Sequence, residues 1–265
     1  NYGTVSLAAV REGGTFATGT LSVTNSAAVD GYSEKLNVTL GSAGGAASIT
    51  AGTVSLLAAG TTDSTTLRVT LGGTVTQSAG IKTGTVSVNY MSDGTGTTGL
   101  APIATNAADL VSVTGTVYRL ASGSLSAATL NLGNARLGGS FSNGSLVVTN
   151  DAAQDGYSEL LRFNASANGG FSLTGGSATL DAGSNATMNV LFGGSTATAG
   201  VKTGTVQVGY TSVGQSGTGL ADVMLTGGSV TLSGTVYRPA VGGLAQGGTV
   251  FANNGTCLLY TSDAA

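Results

Sequence analysis

The pentapeptide DGYSE occurs twice, at Asp30-Gly31-Tyr32-Ser33-Glu34 and at Asp155-Gly156-Tyr157-Ser158-Glu159, an offset of 125. It belongs to a long internal repeat, and that repeat limits the possible folds more than any other feature. TLSVTNSAAVDGYSEKLNV (20–38) returns as SLVVTNDAAQDGYSELLRF (145–163). AGIKTGTVSVNY (79–90) returns as AGVKTGTVQVGY (199–210), an offset of 120, and VTGTVYRL (113–120) as LSGTVYRP (232–239), an offset of 119. A drifting offset means short loop deletions in the second copy. Such a chain is expected to form two tandem units of about 115 residues, each large enough to bury its own core. The expected units are 1–120 and 129–239, joined by the Ser/Ala/Gly-rich stretch 121–128. Residues 240–265 then begin a further, truncated segment.

Within each unit apolar residues alternate with polar ones, the period of half-buried strands. In the first unit the inward set is Leu21, Val23, Leu36, Val38, Leu40, Leu67, Val69, Leu71, Val86, Val88, Tyr90, Val113 and Val117. In the second it is Leu146, Val148, Leu161, Phe163, Met188, Val190, Phe192, Val206, Val208, Tyr210, Leu232 and Val236. With an opening strand and one near 54–57 or 177–180, each unit has about seven strands, the number expected of an immunoglobulin-like sandwich. A parallel β-helix would repeat every two dozen residues or so, and no such sub-period exists. The fold class read from sequence is therefore all-β, as two tandem immunoglobulin-like antiparallel β-sandwich domains. Composition agrees: Gly occurs 45 times, Pro twice, and only 8% of residues are charged.

The same composition removes whole classes of function. There is no His and no Trp, and the single Cys is Cys257. Ser-His-Asp and Cys-His catalysis are therefore out of reach, as are zinc sites built on those ligands. Net charge is −3 and the nine Lys and Arg are scattered, which gives nucleic acid no basic patch. No run of about 18 apolar residues is present to span a membrane as a helix. The Gly-rich stretches carry no phosphate-loop lysine; Lys82 and Lys202, in AGIKTGTV and AGVKTGTV, read as solvated lysines in a turn before a strand. Sequons stand at Asn37, Asn143, Asn164, Asn185 and Asn254, as chance allows in a Ser/Thr-rich chain.

The repeated acids are the remaining candidates for chemistry. Asp30 with Glu34, and Asp155 with Glu159, are the only carboxylate pairs stamped into both units. Two carboxylates flanking a tyrosine are a weak basis for glycoside hydrolysis. Calcium suits them better, yet two carboxylates are few for six to eight ligand positions. The preferred reading is a turn: Gly accepts positive φ, and Asp bonds the backbone two residues on. Tyr32 then lies at the sandwich rim, and Glu34 at the exposed end of a strand, near Arg11 or Arg119. No catalytic residue and no cofactor is assigned, and the chain is not expected to be an enzyme.

The stretch LNLGNARLGGSFSNGSLVVTND (130–151), with Leu132-Gly133-Asn134 and Thr149-Asn150, resembles the opening strands of bacterial choice-of-anchor D repeats. In the first unit only Thr24-Asn25 keeps the pattern, since Ser6-Leu7-Ala8-Ala9 lacks the Gly-Asn. The resemblance implies Ig-like modules of an extracellular or cell-surface bacterial protein, with no shared catalytic residues. It points to a structural or adhesive spacer whose neighbours are further repeats of the same chain. The alternative is a carbohydrate- or protein-binding module with a surface glycan or protein as partner, calcium-dependent if Asp30, Glu34, Asp155 and Glu159 bind the ion. The closing CLLYTSDAA (257–265) resembles translated sequencing-adapter read-through, which would make Cys257 non-native. The chain opens inside a strand-like pattern, as a fragment would.

Overall fold

The computed structural model describes residues 3–243, so Cys257, Asn254 and the closing nonapeptide lie outside the described residues. The first repeat contributes β1 (Thr4–Ser6), β2 (Val10–Arg11), β3 (Gly19–Thr24), β4 (Lys35–Gly45), β5 (Ala47–Ala51), β6 (Thr53–Leu57), β7 (Thr62–Leu71), β8 (Gly80–Asp93), β9 (Ile103–Ala104) and β10 (Asp109–Tyr118). The second contributes β11 (Gly123–Leu125), β12 (Thr129–Arg136), β13 (Gly144–Asn150), β14 (Leu160–Ala167), β15 (Phe171–Thr174), β16 (Ser177–Leu180), β17 (Asn185–Phe192), β18 (Gly200–Val213) and β19 (Val223–Tyr237). A single 3-10 turn, Gly73–Gln77, is the one helical element among the described residues.

These strands form two sheet pairs. In the first half β1-β10-β8-β4-β6, extended by β2 and β9, faces β3-β7-β5; in the second β12-β19-β18-β14-β16 faces β11-β13-β17-β15. The chain is an all-β, immunoglobulin-like sandwich architecture, as the alternation requires. One feature departs from the expected purely antiparallel pattern. The opening strand of each half runs parallel to the last, β1 and β2 along β10 and β12 along β19. The Leu-Gly-Asn motif also acquires a cause. Gly133 sits at φ 83°, Asn131 Oδ1 accepts its N–H at 2.8 Å, and the register of β12 shifts there before pairing resumes. The first half lacks that Gly-Asn, and its opening strand is broken into β1 and β2.

Packing follows the alternation. Val23 and Val148, equivalent in the repeat, are 8% and 0% exposed and belong to equivalent cores. The second half has one continuous buried cluster, whereas the first divides into one around Phe16, Val69 and Val113 and another around Val38, Leu67 and Val88. Alternation did not mark Phe16 and Phe141, which precede β3 and β13 and fold over the opposing sheet. Each covers the glycine of a GTVY sequence: a Cβ on Gly115 would lie 2.5 Å from the Phe16 ring, and one on Gly234 2.7 Å from the Phe141 ring. Glycine is there because an aromatic ring needs that space. Gly115→Ala and Gly234→Ala should each cost about 1–3 kcal/mol by overpacking, read as a lower urea midpoint at constant m; unchanged midpoints would show that the rings move aside freely.

Candidate functional site at the junction of the repeats

The DGYSE segments are loops set up by the Thr-Asn that precedes them. Asn150 ends β13 fully buried. Its Nδ2 donates to the carbonyls of Glu159 and Leu180, both at 3.3 Å, and its Oδ1 accepts from the N–H groups of Ala152 at 3.3 Å and Ser122 at 3.1 Å. Across the loop Asp155 Oδ1 accepts the Tyr157 N–H at 3.0 Å, Ser158 Oγ donates to the Ala153 carbonyl at 2.6 Å, and Gly156 holds φ 82°. The first copy repeats this frame. Asn25 Nδ2 reaches the carbonyls of Glu34 (3.2 Å) and Leu57 (2.9 Å), Asp30 Oδ1 accepts the Tyr32 N–H at 2.9 Å, and Gly31 lies at φ 84°. The expected turn is present in both copies.

Its acids, however, do not lie where sequence placed them. Glu159 is 0% exposed, and Arg11 of the first half grips it with two bonds, Nε to Oε1 at 2.8 Å and Nη2 to Oε2 at 3.1 Å. The same guanidinium donates to the Ala221 carbonyl, and Ser212 Oγ donates to Glu159 Oε2 at 2.6 Å. Arg119 supplies a second contact, with Nη1 2.5 Å from Asp155 Oδ2 and 3.2 Å from Ser158 Oγ. The backbone joins in: the Arg119 N–H donates to the Tyr157 carbonyl at 2.9 Å and the Glu159 N–H to the Arg119 carbonyl at 3.0 Å. Tyr118 and Tyr157 place their rings 6.4 Å apart beside this bridge.

The expectation that Arg11 or Arg119 serves Glu34 is therefore corrected: both arginines serve the second copy. The reason is the polarity of each half. β10 pairs Asp109 with Val88 at one end and Val117 with Gly80 at the other, and the 30–34 loop lies at the Asp109 end while Arg119 follows the Val117 end. Glu34, half-buried, accepts instead from Ser92 Oγ at 2.6 Å and from Thr98 Oγ1. Glu159 is fully buried rather than at an exposed strand end. Tyr32 is 90% exposed, with its hydroxyl open to water, whereas Tyr157 is half-buried at the junction. Lys82 and Lys202 fall inside the first residues of β8 and β18, not in the preceding turn, bonded to Ser78 Oγ at 3.0 Å and Thr198 Oγ1 at 2.9 Å.

Hydrogen bonds lower the pKa of one carboxyl in each copy. The Arg119 hydrogen bond, followed by the Tyr157 N–H, pulls the Asp155 carboxyl below the usual carboxylate range. The Ser92 and Thr98 hydroxyls do the same for Glu34. A cation approaching Asp155 or Glu159 would meet a guanidinium on each, while Asp30 Oδ1 accepts a backbone N–H and both Glu34 oxygens accept hydroxyls. Among the described residues no group of three or more His, Cys, Asp or Glu could hold a metal ion. Sequence reasoning missed Ser212, Asn150 and the Ala221 carbonyl as members of the site. Ser92 and Ser212, two residues past the repeated tyrosine in NYMS and GYTS, were the available signal.

Removing the Arg11 side chain leaves Glu159 buried without its counter-charge, so Arg11→Ala should destabilise the second half by about 3 kcal/mol. Arg11→Leu with Glu159→Leu should cost less than the sum of the single changes in thermal melts. Because the Asp155 pKa is depressed in the folded state, its contribution is complete above the ordinary carboxylate range and is lost as pH falls through the folded value. The protection of the Arg119 and Glu159 amides, measured as exchange relative to the intrinsic rate at each pH, should consequently fall in acid and not in mild base. No protein-family model matches the chain, and no curated protein matches it in sequence. Among solved structures it is similar to CfaE, the adhesive subunit of the CFA/I fimbria of enterotoxigenic Escherichia coli, over 90% of this chain and 99% of that one, at 12% identity and TM-score 0.41. It is also similar to a protein of unknown function from Porphyromonas gingivalis, over 88% of this chain and 96% of that one, at 11% identity and TM-score 0.31. The E. coli chaperone DraB is matched over 48% of this chain and 59% of its own, at 16% identity and TM-score 0.31. Overlaps this loose add nothing to the β-sandwich architecture seen directly.

Proposed function

We propose that the chain is a non-catalytic spacer from a bacterial surface or secreted repeat protein of the choice-of-anchor D kind. Its units, 1–120 and 129–239, are sandwich domains held in fixed relation so that the protein presents something at a distance. One observation carries this reading: a buried carboxylate of the second repeat is gripped by an arginine of the first. A freely jointed linker would leave both groups in water, where such a pair contributes little. The two main-chain bonds between Arg119 and the 157–159 segment stiffen the same joint. The roles found for Leu132-Gly133-Asn134 and Thr149-Asn150, a strand bulge and a loop frame, give the resemblance a structural content. Among the described residues no helix is long and apolar enough to cross a membrane.

The alternative of a glycan-binding face has less to rest on: the exposed tyrosines Tyr32 and Tyr237 belong to different halves and make no ring contact with each other among the described residues, while Tyr118 and Tyr157 pair at the junction. Rigidity is the property to measure. Nitrogen-15 relaxation should give both halves one rotational correlation time, which separates into two in the Arg11→Ala, Arg119→Ala double variant. Independent tumbling of the halves in the unaltered protein would overturn the spacer reading.

A further inference from the structure

Gly209 is a glycine without a structural cause. Gly204 and Gly234 leave room for rings, since a Cβ on them would lie 2.6 Å from Phe171 and 2.7 Å from Phe141, and Gly156 and Gly183 hold positive φ. Gly209 stands inside β18 outside the left-handed region, and a Cβ there would meet only the Asn164 carbonyl, at 3.8 Å. The register of β18 against β19 shifts beside it. That shift does not ask for glycine: the first half breaks its pairing at the same place, between Val88↔Asp109 and Met91↔Ala104, and carries Asn89 there. Glycine inside a strand weakens it, and with no bend to serve it marks a place that something else approaches closely.

The absent side chain leaves a groove of about 440 Å³ on the outer face of the sheet. Along β14 buried Leu161 and Phe163 alternate with exposed Arg162 and Asn164, and the register sets Arg162 beside Thr211 and Asn164 beside Gly209. Ser177 and Thr179 of β16 form one wall, and Met224 of β19, 87% exposed and paired with Thr211, forms the other. Arg162 holds Asp222 at 2.8 Å, while the Ala221 carbonyl accepts Arg11 of the first half, so the entry to β19 is fixed on both sides. The side chains of Asn164, Ser177, Thr179 and Thr211 make no hydrogen bond among the described residues. In the first half Asn37 stands for Arg162, Met91 for Thr211 and Ala104 for Met224. Asn37 spends its amide on Asp93 and on the Leu56 N–H.

We propose that this groove is a subsite for one uncharged sugar unit of a glycan, bound without calcium. The chemistry of the lining selects that class. Hydroxyls and a carboxamide both donate and accept, as sugar hydroxyls do. An anion would need a free cation, and Arg162 is held by Asp222; a metal ion would need a free carboxylate, and Asp222 is held in turn. The volume falls in the range of small-ligand sites. The sugar ring lies over Gly209, with its hydroxyls on Asn164, Thr179 and Thr211 and its C–H face against the Met224 side chain. Aromatic stacking plays no part, so the separation of the exposed tyrosines does not bear on this site. An asparagine at 209, as in the first half, would occupy the floor where the ring lies.

The subsite stands apart from the spacer reading, because the halves can tumble as one whether or not a sugar binds. Its test is a nitrogen-15 correlation titration of the full chain, calcium chelated, with the methyl glycosides of glucose, galactose, mannose and N-acetylglucosamine. At least one should saturably shift the amides of Thr179, Gly209, Thr211 and Met224 and the Asn164 side-chain amide. The dissociation constant should be on the order of 1 mM, the strength open to a ligand of that size. Gly209→Asn should abolish the shifts and leave the melting temperature equal or higher. Asn164→Ala and Thr179→Ala should each weaken binding about two- to ten-fold, the worth of one neutral hydrogen bond. Both side chains are exposed and unbonded, so folding is not at stake. Absence of saturable shifts with all of these glycosides, or shifts that persist in Gly209→Asn, overturns the subsite. Sodium sulfate moving the same amides as strongly also overturns it, since the groove would then be an anion site on Arg162.

Discussion

A carboxylate removed from water must find its counter-charge, and Glu159 finds it in the other repeat. Desolvating that group costs several kcal/mol, which a bidentate guanidinium and a serine hydroxyl offset only at one relative placement of the halves. Geometry at the joint is therefore dictated by a penalty for being elsewhere more than by attraction. Hydrophobic contact between the halves would tolerate sliding; a two-pronged ion pair does not. The neighbouring contacts can be modest because this one fixes the register. Arg119 adds its partly exposed bond to Asp155, and the main chain on either side is already in place.

The two DGYSE copies show how one sequence acquires two roles. Locally they are the same object: an Asx turn, a positive-φ glycine and a buried asparagine that pins the loop's far end. Their surroundings separate them. In one, the glutamate is held by the serine and threonine of its own half; in the other, by an arginine 148 positions away in sequence. A five-residue motif encodes the loop and leaves its partner to the rest of the chain.

This division accounts for what could be read beforehand. Strand faces were legible because alternation is a local signal, and residues such as Val38, Leu67, Leu146 and Phe163 are buried as it required. The turn was legible because Asp-Gly chemistry acts over two residues. The partner of Glu159 was not, since nothing local says which end of a sandwich an arginine reaches. Phe16 and Phe141 escaped because they lie outside the alternating strands, and their signal was the unexplained glycine at Gly115 and Gly234. The parallel pairing of first and last strands was hidden for a related reason: alternation reports which face is buried, and says nothing of strand direction.

That parallel pairing has a mechanical consequence. In the second half the entering strand β12 and the leaving strand β19 lie side by side in the same direction, with six registered positions between them. Tension applied along the polypeptide pulls one strand backward against the other, so the inter-strand bonds are loaded together in shear and do not open one after another like a zipper. The first half presents the same arrangement interrupted, three positions on β1 and two on β2. Under a stretching force the interrupted half is the one that yields, and it does so while its neighbour still bears the load.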